Sequence, residues 1–101
     1  DIDSIICVSY LDKVVANEDE LHDGCCIDKG HVATFYTVWS YKKGAGTGII
    51  FAVKDLIEKT KPYVGRFVTL SPCTEMATNF HLKNGAHLLN KYEEYQNFEY
   101  R

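Results

Sequence analysis

The stretch Val32-Ala33-Thr34-Phe35-Tyr36-Thr37-Val38-Trp39-Ser40-Tyr41 leads through Lys43-Gly44-Ala45-Gly46-Thr47-Gly48 into Ile49-Ile50-Phe51-Ala52-Val53-Lys54-Asp55-Leu56-Ile57-Glu58-Lys59. The first part is apolar or aromatic at both alternations, with Ala33, Phe35, Trp39 and Tyr41 on one and Val32, Tyr36 and Val38 on the other. That pattern reads as a central strand covered on both faces. In the third part Ile49, Ile50, Val53, Leu56 and Ile57 recur at helical spacing, while Lys54, Asp55, Glu58 and Lys59 take the opposite face and Asp55 pairs with Lys59 across one turn. The helix is expected to end before Pro62. Arg66 to Leu70, opened by Gly65, reads as a short strand. Strand, helix and strand form a right-handed β-α-β crossover, so the two strands should be parallel.

The flanks fill in the rest of a sheet. Ser4 to Tyr10 reads as a strand, continued after Asp12 by Lys13 to Ala16, and Asn17 to Gly30 as an acidic, turn-rich loop. Ser71-Pro72 offers an N-cap with proline at the first helical position. The helix it opens should point Met76, Ala77 and Phe80 inward and stop at Gly85. Ala86 to Asn90 and Gln96 to Tyr100 read as two more strands, joined by a polar turn and pairing antiparallel. The expected fold is α/β: a mixed, mostly antiparallel sheet with one parallel crossover and two main helices, in one domain over residues 1–101.

Composition narrows the function classes. The chain has 101 residues, 46% of them hydrophobic, and 11 Lys plus Arg against 14 Asp plus Glu give a net charge of −3. No basic stripe invites nucleic acid, and no apolar run is long enough to span a bilayer. The start at Asp1 rather than Met reads as that of a chain lacking an upstream portion. Cys7, Cys25, Cys26 and Cys73 include no C-x-x-C spacing, so reduced thiols in a cytoplasmic protein are expected. His22, Cys25, Cys26 and His31 supply zinc-ligand types, but adjacent cysteines point apart, and no metal site is expected. His31 and His87 read as surface or strand-end residues. The acidic group Glu18, Asp19, Glu20 and Asp23 reads as a solvated face, with attraction of a cationic amine as the alternative.

Lys43 to Gly48 is the candidate binding element. Glycines between a buried strand and a helix start remove the side chains that would keep a phosphate from the backbone, and the helix dipole favours an anion there. The alternative is a plain turn with glycine chosen for positive φ. The spacing is neither that of a dinucleotide-binding fold nor that of a P-loop.

Val38 to Gly48 resembles the V-x-P-x-x-[RQ]-x-x-G-x-G cofactor motif of the GNAT acetyltransferase superfamily, with Ser40 in place of proline and Lys43 in place of Arg or Gln. Ala77-Thr78-Asn79-Phe80-His81-Leu82-Lys83-Asn84-Gly85-Ala86 is similar to its A-x-x-[LF]-Y-x-x-x-G-F motif. The resemblance runs from Val32 to the C-terminus and leaves the family's first strand and first two helices without a counterpart. It implies an acetyl-CoA or other acyl-CoA cofactor, an unknown amine acceptor and an N-acyltransferase activity. The pyrophosphate would lie on the backbone of Lys43, Gly44, Ala45, Gly46, Thr47 and Gly48, and the pantetheine between parallel strands that splay apart in this family. Backbone near Val38 would bind the acyl carbonyl, and Thr74 stands where members often contact pantetheine through Asn. His81 occupies the position of a tyrosine that protonates the departing thiolate. Pro62-Tyr63-Val64-Gly65-Arg66-Phe67-Val68-Thr69-Leu70-Ser71-Pro72 is similar to the P-x-[LV]-G-x-F-x-x-L-S-P segment of malonyl-coenzyme A decarboxylase, whose catalytic domain is GNAT-like. That resemblance implies coenzyme A again, with Ser71 either a catalytic serine or a helix cap. The remaining alternatives are a non-catalytic coenzyme A binding module and a small α/β interaction domain. A sheet with an unpaired edge would also permit a homodimer.

Overall fold

The computed structural model describes residues 4–23, 30–40 and 45–100. Along the chain they form β1 (Ser4–Leu11), α1 (Glu18–Asp23), β2 (Val32–Ser40), α2 (Ala45–Thr60), β3 (Arg66–Thr69), β4 (Ser71–Pro72), α3 (Glu75–Lys83), β5 (His87–Lys91) and β6 (Tyr95–Tyr100). The strands make one mixed sheet in the order β1-β2-β3-β6, with β4 and β5 also paired to β6. Among the described residues only β2 and β3 run parallel, and every other pair is antiparallel. The mixed α/β class and the crossover built on β2, α2 and β3 are as expected. No helix among the described residues is long and apolar enough to cross a membrane.

One face of the sheet carries the larger core. Ala33, Phe35, Phe67, Phe98 and Tyr100 are buried there with Ile50 and Ile57 of α2, and Phe80 of α3 packs alongside. The burial of α2 departs from expectation at two positions. Ile50 and Ile57 define the buried stripe, and at about 100° per residue Lys54 falls about 40° from Ile50 while Leu56 falls about 100° from Ile57. Lys54 is therefore half-buried, its ammonium 4.9 Å from the centre of the Phe67 ring. Leu56 is 59% exposed. In α3 Met76 also points out, 82% exposed, and the buried residue of that helix is His81.

The opposite face carries a smaller cluster of Leu11, Val15, Leu21 and Leu70, with Tyr95 against it. Here the expected loop after Asn17 contains helix α1, and Lys13 to Ala16 bend rather than extend β1. The Asn17 carboxamide accepts the Glu20 N–H at 2.9 Å and the Asn17 carbonyl accepts the Leu21 N–H at 3.1 Å. Glu20 reaches back to the Ala16 N–H at 3.4 Å. This near-reciprocal cap starts a helix whose first turn holds three acidic residues, favourable against the helix dipole.

The cap of α3 also moves. Ser71 and Pro72 pair with β6 as β4, and Thr74 caps the helix by accepting the Ala77 N–H at 3.2 Å. At the other end Gly85 adopts φ 87°, a conformation costly for residues with a Cβ. Its N–H reaches the Leu82 carbonyl and the Ala86 N–H reaches the His81 carbonyl, each at 3.0 Å, closing a Schellman motif. That termination fixes the last turn of α3, and with it His81 and Asn84.

Candidate functional site

The parallel pair opens partway along. β2 and β3 are in register from Val32/Arg66 to Phe35/Thr69, and the Leu70 N–H still bonds the Phe35 carbonyl at 3.0 Å. Beyond that point β2 continues to Ser40, while the chain from β3 turns into β4 and pairs with β6. The parting coincides with a bulge: Cys7 pairs with Thr37 and Val8 with Phe35, so β2 carries one extra residue, Tyr36, between these two pairs. An extra residue bends and twists its strand, and here the bend falls just past the last parallel pair. The backbone of Val38 pairs with Ile6 of β1 and, among the described residues, with no strand on its other side.

A cavity of about 360 Å³ opens beside this fork on the α1 face, lined by Tyr36, Leu70 and Pro72 together with Glu18, Leu21 and Tyr95. Tyr95 donates its hydroxyl to Glu18. That bond, with the charge of Glu94 and Asp19 nearby, holds the phenol's pKa above its ordinary value.

On the other face lies a chain of polar side chains inside an apolar shell. Ser71 Oγ donates to Thr69 Oγ1 at 2.9 Å and lies 3.1 Å from His81 Nε2. His81 Nδ1 is 2.6 Å from the Tyr100 hydroxyl. Thr69 Oγ1 also accepts the Phe98 N–H at 2.9 Å. The His81 ring packs between Phe80 and Phe98, and burial lowers its pKa to about 4, so at neutral pH it is an uncharged imidazole. Burial pushes the Tyr100 phenol up, with Asn84 working against that rise. Asn84 in turn accepts the Thr47 hydroxyl at 2.8 Å, tying the end of α3 to the first turn of α2.

Thr47 and Gly48 belong to that first turn, which begins at Ala45. Lys43 and Gly44 lie outside the described residues. The glycine element is thus in part the start of the helix rather than wholly a turn before it, and its leading N–H groups have no partner within the helix. A Cβ at Gly48 would meet nothing within 4 Å, and its φ lies outside the left-handed region, so neither contact nor conformation among the described residues requires glycine there. Thr74 is exposed and occupied as the α3 cap.

His31 and His87 are exposed, as their isolation implied. Cys25 and Cys26 lie outside the described residues, and Cys7 and Cys73 are half-buried free thiols. No group of three His, Cys, Asp or Glu side chains that could hold a metal occurs among the described residues.

Ser71, read as a helix cap or a catalytic serine, touches His81, and Tyr100, read only as the end of a strand, touches it from the other side. The sequence carried a hint of the first contact, since Ser71-Pro72 continued by Cys73-Thr74 offers two cap candidates and only one can serve. It carried none of the second, because Tyr100 and His81 meet only through the packing of α3 on β6. Comparison of the sequence with protein-family models and with curated proteins returned no match.

Proposed function

We propose that this chain is an enzyme of acyl-coenzyme A thioesters that takes the pantetheine arm between β2 and β3 and delivers a proton to a thioester enolate, as in decarboxylation of malonyl-CoA. The observation that carries the reading is the parting of β2 and β3 at Phe35/Thr69, with no described strand paired to the Val38 backbone on the open side. A main-chain N–H there is suited to the thioester oxygen, where negative charge develops. The first turn of α2 stands at the end of the same crossover, where a pyrophosphate would meet its N–H groups.

The choice of chemistry rests on the Ser71–His81 contact. N-acyl transfer as the GNAT resemblance implies it requires His81 to protonate a thiolate. A neutral imidazole is a far weaker acid than a thiol, so His81 as buried here is poorly matched to that task. An enolate carbon is a much stronger base than a thiolate and takes a proton even from a neutral hydroxyl or imidazole. In malonyl-CoA the bond to the carboxylate breaks, its electron pair passes into the thioester enolate, and carbon dioxide leaves. The enolate carbon then gains one proton through Ser71 and His81, giving acetyl-CoA, and the proton is made up from water.

N-acyl transfer stands as the second reading, favoured by the Glu18-lined cavity beside the fork, which suits a cationic amine. Mixing the protein with malonyl-CoA, and separately with acetyl-CoA and a panel of amines, separates the two by product. Gly48→Ala sharpens the test. With open space for a Cβ and better helix propensity, it should raise stability by about 0.5 kcal/mol. By crowding the phosphate approach it should weaken binding of both thioesters at least about tenfold. Failure of either thioester to raise the melting temperature of the unaltered protein sinks the coenzyme A reading.

A further inference from the structure

Tyr100 stands at the inner end of the polar chain, and its surroundings decide where its one proton goes. His81 Nδ1 lies 2.6 Å from the hydroxyl. Asn84 is the other polar side chain acting on it. The Asn84 Oδ1 is taken by the Thr47 hydroxyl at 2.8 Å, which leaves the amide's N–H end as its free pole, and Nδ2 completes no hydrogen bond. The influence of Asn84 is that of a donor, favouring negative charge on the phenol oxygen. A donor cannot accept the phenol's proton, so among the described residues the acceptor is Nδ1 of His81.

A neutral imidazole that accepts at Nδ1 carries its proton at Nε2. Nε2 faces Ser71 Oγ at 3.1 Å, Ser71 donates onward to Thr69 Oγ1, and Thr69 Oγ1 also takes the Phe98 N–H. In this arrangement all donors run one way, from Tyr100 to the strand. In the reverse tautomer Nδ1–H would donate to the phenol oxygen, and the phenol proton would have no acceptor among the described residues.

We propose that Tyr100 is a positioning residue that locks His81 as the Nε2–H tautomer, so that the imidazole proton is held on Ser71. The inference rests on the proposed thioester chemistry for its purpose, and on the geometry alone for its existence. In turnover the Ser71 hydroxyl turns from Thr69 to the enolate carbon and gives up its proton. Nε2–H replaces that proton, Nδ1 takes the proton of Tyr100, and the resulting phenolate regains one from water. Asn84, a donor whose influence already favours negative charge on the phenol oxygen, is in place for that transient phenolate.

Nitrogen-15 spectra of the His81 ring, taken on labelled protein at neutral pH without any thioester, read the tautomer directly. The unaltered protein should show a protonated Nε2 and a bare Nδ1. Tyr100→Phe should release the ring into a mixture of tautomers, and should lower kcat for malonyl-CoA by about tenfold or more with KM little changed. A proton on Nδ1 in the unaltered protein overturns the inference, and so does a Tyr100→Phe ring spectrum identical to the original. Should Tyr100→Phe fail to fold, the spectrum of the unaltered protein decides alone. Absence of thioester binding or turnover would instead defeat the proposed function while leaving the tautomer result intact.

Discussion

On the face covered by α2 and α3, nine buried apolar residues form one cluster, and its polar chain of Ser71, His81 and Tyr100 is held by the packing around it. On the α1 face four buried apolar residues do the same work with a short helix, and one side chain of β6 bonds the main chain of the segment after β1. That side chain is Asn97, whose Nδ2 donates to the Val15 carbonyl at 2.9 Å and to the Thr69 carbonyl at 2.8 Å. The first face is held by apolar area, which is spread over many residues. The second is held by a few directed bonds, so its cost is concentrated at named atoms.

The widest separation between the faces should come from truncating an aromatic in the larger core. Phe98 is fully buried and stacks near the His81 ring, 5.2 Å between centroids. Phe98→Ala should remove about 3–5 kcal/mol of unfolding free energy, measured by urea denaturation. Leu21→Ala on the α1 face, cut from a cluster with fewer partners, should cost about 2–3 kcal/mol. Equal losses would mean that the two faces carry equal packing.

Acid should distinguish the faces next. The folded-state pKa of His81 is lowered from 6.5 to about 4. As pH falls below 6.5 the unfolded chain takes up the proton first, so native stability declines until about pH 4, below which both states are protonated and the decline stops. A shift of this size is worth about 3 kcal/mol over that window. Carboxylates titrate across part of the same range, so the informative quantity is the difference between the unaltered protein and His81→Phe. The variant should lack this component of the acid slope. Parallel pH profiles for the two proteins would show that His81 is not held neutral by its surroundings.

The same division governs what could be read from residues alone. β2, α2, β3 and the stop at Gly85 follow from periodicity and from glycine and proline placement, which are local properties of the chain. Lys54 and Leu56 were misplaced because both lie at the flanks of the α2 stripe, where burial depends on what faces the helix; Phe67 attracts one ammonium and the leucine is left 59% exposed. Helix α1 did leave a local sign, Asn17 followed three residues later by Glu20 and then Leu21, which a count of acidic residues in a turn-rich stretch concealed. The contacts of His81 with Ser71 and Tyr100 join elements ten and nineteen residues apart, and depend on how α3 sits on the sheet. Likewise the fork needs the bulge at Tyr36, and no residue type at that position announces one.

Asn97 gives the smallest of the expected effects and the most local. Its two acceptors, the Val15 and Thr69 carbonyls, belong to buried residues, and on either side of this point β6 pairs by main chain with β3 at Val68/Glu99 and with β4 at Ser71/Gln96. Between those pairs the Asn97 and Thr69 side chains supply the bonds, with Thr69 Oγ1 taking the Phe98 N–H. Asn97→Ala would leave two buried carbonyls unpaired and should cost about 2 kcal/mol. Because Val15 is held from this one atom, amide exchange in Glu18–Asp23 should accelerate more than exchange in Ala45–Thr60. Asn97→Asp keeps the shape but withdraws the donor and adds a charge, and should be worse than alanine. A uniform rise in exchange across both helices would mean that the α1 segment is not a separately fastened unit, and that the two faces open together.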